Sequence, residues 1–275
     1  MLRRLWRIPS LVALLFGGLF TVFVVFPLVG PGRREWLIAT WSRMLVGACG
    51  ALIVERVAPG AEALSAMRGR HGPGDGRLLL SNHVSWLDIF AIDSLAPASF
   101  AAKAEIASWP LAGTLVGRAG TVFIERGRRH AVHGVIQRMG EKLQAGLRAA
   151  VFPEGTTSDG RRLLPFHGNL VQAALNAEAP MVPVGIRYVD PDGEPSHAAM
   201  FIGDTTFLQS LWTITGHPRV IVEVHVMPAI LPAPGLKRQS IARQAREAIA
   251  ARLGLELDDT VPEALRAALG ASPAP

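Results

Sequence analysis

The sequence predicts an α/β fold, helices packed on a central sheet, carried behind a hydrophobic membrane-associated segment of two helices. Three observations predict it. The first fifth of the chain is nearly all apolar, short apolar runs alternate with helical segments from about residue 55 onward, and the composition itself leans towards the bilayer. Of 275 residues, 49% are hydrophobic and only 18% charged, with a mean hydropathy of +0.29. That excludes intrinsic disorder, which needs low hydrophobicity and high net charge, and the length suffices for a sizeable core. Lys and Arg number 28 against 22 Asp and Glu, a net charge of +6. Such an excess suits anionic partners: lipid headgroups, phosphorylated substrates or acidic carriers. The dispersed charges and the single Tyr argue against nucleic acid. One cysteine excludes an internal disulfide framework and a Cys-rich zinc module.

The elements follow in chain order. Residues 8–29 form an apolar run long enough to cross a bilayer as a helix, and a second apolar stretch, 36–54, carries Arg43 inside it. Arg3, Arg4 and Arg7 precede the first run and Arg33 and Arg34 follow it, so flanking charge does not set one orientation. Either a spanning hairpin or two helices dipping into one leaflet satisfies this pattern. A cleaved signal peptide fits poorly, because the run exceeds an h-region and no small-x-small site follows closely. Cys49 is expected as an ordinary buried cysteine. The resulting division is a membrane-associated hairpin over 1–55, an α/β domain over 56–255, and a short helix with a frayed tail over 256–275.

Within the α/β domain, residues 77–80 read as a buried strand, with a helix from about Trp86. Residues 99–103 and 120–125 are further strands, the latter rich in β-branched and aromatic residues, with a short helix over 107–117 between them. Val132, Val135, Ile136, Met139 and Leu143 recur at helical spacing. Residues 149–152 are a strand ended by Pro153, and a helix over 169–178 leads into a strand over 181–188. Residues 191–216 read as loop-rich, with a turn at 193–195. Residues 219–227 alternate polar and apolar, which predicts a strand with unlike faces. A terminal helix over 237–253 buries Ile241, Ala245, Ile249 and Leu253.

Three polar constellations sit at strand ends, where α/β sheets place their chemistry. In NHVSWLD (residues 82–88), His83 and Asp88 are five apart, about 140° out of phase on one helix. They meet only if His83 lies in the turn and Asp88 in the first helical turn. Asp88 would then accept the Nδ1 proton and leave Nε2 as a general base; the simpler alternative is that Asp88 only caps the helix. The second, GTVFIERGRR (120–129), places arginines where they suit an anion, or merely a solvated loop. The third, VFPEGTTSDGRR (151–162), puts Glu154 at a strand end; it lacks the lysine and spacing of a P-loop.

NHVSWLD, GTVFIER, FPEGT and VPVG (182–185) together resemble the four ordered motifs of the glycerolipid acyltransferase family, the 1-acyl-sn-glycerol-3-phosphate acyltransferases, over roughly residues 75–190. The resemblance implies that family's fold, a mixed central sheet flanked by helices. It implies His83 as the catalytic base and Asp88 as its orienting partner. Arg126 matches the arginine for the acceptor phosphate, Glu154, Gly155 and Thr156 fall on the acceptor-site motif, Pro183 on the fourth motif, and Lys103 on a basic residue between the first two. It also implies a membrane enzyme at the cytoplasmic face of a bacterial inner membrane. The enzyme would use acyl carrier protein or coenzyme A thioester as co-substrate, with no metal and no other cofactor. Its acceptor would be a lysophospholipid, first 1-acyl-sn-glycerol-3-phosphate. One departure matters: Thr157 stands where the family commonly has Arg. The FPEGTTSDG variant is similar to lyso-ornithine lipid O-acyltransferases, the alternative reading. A non-catalytic lipid-binding protein is the third, and the intact His83–Asp88 pair speaks against it.

Overall fold

Three runs of consecutive apolar residues form the centre of one sheet because each is covered on both faces, as parallel strands require. The computed structural model describes residues 2–109, 111–124 and 129–260. Chain order runs α1 (Leu2–Phe20), α2 (Pro31–Ala48), β1 (Ala51–Val57), α3 (Leu64–Met67), β2 (Arg77–Ser81), α4 (Leu87–Leu95) and β3 (Ser99–Lys103). There follow α5 (Ala112–Arg118), β4 (Val122–Ile124), α6 (Arg129–Gln144), β5 (Arg148–Val151), β6 (Arg162–Leu163) and α7 (Gln172–Asn176). The last elements are β7 (Met181–Val189), α8 (Phe207–Gly216), β8 (Val220–Val226), α9 (Arg238–Leu253) and β9 (Glu256–Leu257). Seven strands pair in the order β1-β8-β7-β2-β5-β3-β4. Only β7 and β8 are antiparallel, so the sheet is mixed.

Alternation along the strands divides the core into two layers. Leu79, Val182, Val184 and Ile186 face one layer with Ile92 of α4, Val46 of α2 and Ile214 of α8. Leu78, Leu80 and Met181 face the other with Met139 of α6, Ala173 of α7 and Ile249 of α9. The helical stripes read at 132–143 and 241–253 lie on the second layer. Register sets which loops meet: Leu80 pairs with Val151 of β5 and Ser81 with Val184 of β7. The loops after β2 and β5 therefore leave the sheet side by side.

Several expectations change. Residues 191–216 are not loop throughout, because α8 occupies their end, begun by a capping box of Thr206 and Gln209. The second apolar stretch is not helical to its end: α2 stops at Ala48, and Ala51–Val57 is an edge strand paired with β8. The boundary near residue 55 falls within it. Strand β8 does not have one wet face. Glu223 and His225 are buried, with Arg187 at 2.6 Å and Arg56 at 3.1 Å from the Glu223 carboxylate. The helix expected over 169–178 is the shorter α7, and the one over 107–117 begins late, as α5. In the tail, Glu256–Leu257 pairs with β6 where a helix was expected; residues 261–275 lie outside the described residues.

The two amino-terminal helices are unlike. Leu2–Leu28 is the one helix long and apolar enough to cross a membrane among the described residues. It stays in contact with the α/β body near both ends. Arg7 donates to the carbonyls of Thr215, His217 and Pro218. At Gly18 a Cβ would come within 2.9 Å of the Trp41 indole nitrogen, so glycine permits the close crossing with α2. Helix α2 instead packs on α4 and buries a charge: Glu35 pairs with Arg148 at the start of β5 and accepts the Gly69 N–H at 3.1 Å. Arg148 completes its donors on the carbonyls of Met67, Arg70 and Pro97. Glu35→Ala is expected to leave that guanidinium buried and unpaired and to cost about 3–5 kcal/mol. Unfolding in detergent measures it; a loss under about 1 kcal/mol would remove the pair as the anchor of α2.

Candidate active site

The loop between β2 and α4 must feed a buried helix start with partners, and its sequence supplies them. The Ser85 hydroxyl accepts the Leu87 N–H at 3.2 Å, and the Asp88 carboxylate accepts back from the Ser85 N–H at 2.9 Å. This is a variant of the reciprocal capping box, with the carboxylate in the first turn, where the helix dipole favours it. Asp88 is fully buried. Its Oδ2 also accepts from the Val84 N–H at 2.8 Å and faces His83 Nδ1 at 2.8 Å. Oδ1 accepts the Tyr188 hydroxyl at 2.6 Å.

A carboxylate oxygen offers only lone pairs, so Nδ1 of His83 is the donor and Nε2 keeps its own lone pair free. The ring lies flat on Phe152, centroids 3.9 Å apart and planes 10° from parallel. It remains 19% exposed, and Nε2 has no protein partner among the described residues. Both alternatives for Asp88 hold at once: it caps the helix and it holds the imidazole.

The loop after β5 clasps the same histidine by its main chain. Glu154 Oε1 accepts the His83 N–H at 2.6 Å, and the Ser158 N–H donates to the His83 carbonyl at 2.8 Å. Glu154 Oε2 accepts from the Leu164 N–H at 3.3 Å. Gly155, at φ +71°, makes the reversal between these clasps. Glu154 is fully buried and so has no exposed atom to offer an acceptor. It acts as a clamp on the loop that carries His83, and burial pushes its carboxyl up to about 8 against its two amide donors. On the other side, Asn82 replaces a peptide unit: its side chain accepts the Ile186 N–H at 2.7 Å and donates to the Ile186 carbonyl at 3.0 Å.

Of the remaining sequence-derived residues, Thr156 is half-buried in the same turn, Pro183 sits in β7 beside Leu80, and Lys103 ends β3. Arg126 lies outside the described residues. Thr157 turns its hydroxyl onto the Phe201 carbonyl. Beyond it an open crevice of about 470 Å³ is lined by Asp159, Arg161, Arg162 and Asp258 among others. Cys49 and Ser85 are fully buried, and burial pushes the Cys49 thiol up to about 12. Sequence reasoning missed Tyr188, Asn82 and Ser158. Tyr188 had one faint signal, as the single tyrosine of the chain set in a buried strand.

Residues 60–187 match the family model described as Acyltransferase. The chain is 42% identical over 177 residues to the lyso-ornithine lipid O-acyltransferase of Pseudomonas aeruginosa, covering 64% of this chain and 67% of that protein. It is 36% identical over 216 residues to the 1-acyl-sn-glycerol-3-phosphate acyltransferase of Neisseria gonorrhoeae, covering 74% and 83%. The crystal structure of the 1-acyl-sn-glycerophosphate acyltransferase from Thermotoga maritima shares the fold, with a TM-score of 0.61 at 19% identity over 92% of this chain and 96% of that one.

The Glu154 carboxyl carries a sign that can be measured. With its folded pKa raised from 4.5 to about 8, the native state keeps a proton that the unfolded chain has lost. Stability is therefore expected to fall as pH rises from about 4.5 to 8, by at most about 1.4 kcal/mol per pH unit from this group. Asp93, raised from 3.8 to about 7 by burial, adds a slope of the same sign at lower pH. Thermal unfolding in detergent across this range should show a shallower decline for Glu154→Gln. Parallel profiles would mean that the carboxyl ionises in the fold as it does in water.

Proposed function

The chain belongs to the acyltransferase family that includes the 1-acyl-sn-glycerol-3-phosphate acyltransferases and is an acyltransferase, and from that premise we propose that it moves a fatty acyl group from an acyl thioester to the free hydroxyl of a lysophospholipid by general-base catalysis at His83. The observation that carries the reading is the 2.8 Å contact of His83 Nδ1 with the buried Asp88, which leaves the partly exposed Nε2 to take a proton.

The chemistry needs little more. A thioester is already activated, so the enzyme has to raise the nucleophilicity of an alcohol and hold it in place. Nε2 removes the hydroxyl proton as the oxygen attacks the thioester carbonyl, and Asp88 stabilises the imidazolium. Collapse of the tetrahedral intermediate breaks the C–S bond, and the imidazolium proton passes to the departing thiolate. General-base help is worth about 10²–10⁴-fold; positioning and oxyanion stabilisation supply the rest. Burial of Cys49 and Ser85 speaks for direct transfer without an acyl-enzyme. The anionic donor, acyl carrier protein or coenzyme A, suits the net charge of +6.

The contacts of α1 at both ends favour a helix lying along one leaflet over one crossing the bilayer, with the α/β body on the cytoplasmic side. Lysophosphatidate is the first acceptor, gripped at its phosphate by Arg126. The second reading, lyso-ornithine lipid, has its own support. Thr157 is spent on the Phe201 carbonyl, and the adjoining crevice carries Arg161 and Arg162 beside Asp159 and Asp258. That is the complement of a headgroup bearing both a carboxylate and an ammonium.

Purified protein in detergent, assayed with both acceptors and both thioester donors, tests the reading: acyl groups appear as new ester, not as free acid. His83→Ala and Asp88→Ala are each expected to lower turnover by at least about 10²-fold in folded protein; retained turnover in His83→Ala would remove the base. Arg126→Ala should raise KM for lysophosphatidate and leave a phosphate-free acceptor unaffected, and equal effects on both would end that role. Tyr188→Phe, losing one buried donor on Asp88, should lower kcat about tenfold with KM unchanged. An unchanged kcat would make Tyr188 structural only.

A further inference from the structure

Helix α8 is at odds with a water-facing position. Residues 205–216 contain no charged side chain, yet Leu208 is 74% and Trp212 56% exposed. Four residues apart, the two project from one face, with Phe207 and Ile202 exposed beside them. The opposite face is anchored: Ser210, Ile214 and Thr215 are buried, and the Trp86 indole donates to the Ser210 hydroxyl at 3.0 Å. An ordinary surface helix reverses this pattern, apolar stripe inward and charges outward.

We propose that α8 is a membrane-docking element that inserts Leu208 and Trp212 into the lipid interface and seats the catalytic loop at that surface; this rests on the reading of α1 as lying in one leaflet. At ten residues, about 15 Å long, α8 cannot cross a hydrocarbon core of about 30 Å, so it lies in the plane. Its continuity with α1 identifies the occupant. Arg4 of α1 donates to the Trp212 carbonyl at 3.1 Å and stands 4.1 Å over its ring. Arg7 holds the α8 terminus through the Thr215, His217 and Pro218 carbonyls. The exposed face of α8 thus continues that of Leu2, Leu5 and Trp6. One bilayer surface covers both faces together, whereas a protein partner seated on α8 would leave α1 in water. Trp beside Arg is the side-chain chemistry of an interface with anionic headgroups.

The same segment is stitched to the catalytic loop. The Phe201 N–H donates to the Val84 carbonyl at 3.1 Å, the Thr157 hydroxyl meets the Phe201 carbonyl, and the Trp86 and Phe207 rings touch at 5.0 Å. Fixing α8 in the interface therefore fixes the height of residues 83–88 above the lipid, where a lyso-lipid hydroxyl is presented.

Environment-sensitive fluorophores on the full chain test this, since Cys49 is buried and leaves an introduced cysteine as the labelled one. Leu208→Cys, Phe16→Cys on α1 and Glu194→Cys on an exposed turn are labelled and reconstituted with phosphatidylcholine–phosphatidylglycerol vesicles carrying spin-labelled lipid. The label at 208 should shift to the blue and be quenched like that at 16, while that at 194 stays water-like. Quenching at 16 without quenching at 208 overturns the inference and leaves the α1 reading intact; no quenching at either overturns both. A label at 208 that is shielded but untouched by lipid quencher reports a protein partner, and also overturns it. In parallel, the double variant Leu208→Asp, Trp212→Asp should lose about tenfold in kcat/KM on vesicle-borne acceptor and stay within about twofold on detergent-dispersed acceptor. Equal losses on both would overturn the docking role.

Discussion

A carboxylate taken wholly out of water is tolerated only when its lone pairs find donors, and Asp88 is where this chain meets that demand. Three donors come from residues 83–85, two main-chain N–H groups and one imidazole. The fourth is the hydroxyl of Tyr188, a hundred residues away on β7. To deliver the first three, the loop after β2 must curl over the start of α4, and that curl turns the His83 ring outward with its proton on the inner nitrogen. The backbone of the same histidine is then left to pair, and Glu154 and Ser158 take its N–H and its carbonyl. Satisfying one buried charge thus couples two loops and three strands. The geometry of the His83–Asp88 pair is a by-product of that satisfaction.

Glu154 extends the reasoning. Its motif position suggests contact with the acceptor, yet its burial and its two main-chain partners make it a fastener. An uncharged side chain of the same shape could satisfy only one of those two N–H donors, because an amide offers one acceptor oxygen. The acid is therefore explained by geometry even with its carboxyl pushed up to about 8.

What could be read from the sequence follows from the range of each interaction. The His83–Asp88 pairing was legible because both partners lie within one turn of chain, and the stripes at 132–143 and 241–253 because a buried face contrasts with a charged one. Strands β2, β5 and β7 announced themselves as continuous apolar runs. Helix α8 did not, because Phe207, Leu208 and Trp212 point outward and no charged face supplies contrast. Strand β1 was hidden in the apolar stretch that α2 begins. The pairings of Tyr188 with Asp88, Asn82 with Ile186, and Glu35 with Arg148 could not be read, since each joins positions a hundred residues or more apart. The residue roles came from the resemblance of four ordered motifs, which spacing alone could not have assigned.

The amino-terminal helices are built into the enzyme rather than tethered to it. Trp41 of α2 donates to the Leu14 carbonyl of α1 at 2.8 Å and meets Phe90 of α4 edge-on at 5.7 Å, while Glu35 locks α2 to β5. Helix α4 carries Asp88 near its start and contacts α2 along its side, so the amino-terminal helices and the proposed catalytic pair share one rigid element. The physical reason lies in the two substrates. In the proposed reaction a thioester arrives from water and a lyso-lipid stays in the membrane, so the proposed base must sit at the boundary between them. A flexible linker would let it sample many heights and dilute the productive one, as a long tether lowers effective concentration. Rigid attachment removes that loss, and the buried charge on α2 is the cost of making the attachment specific.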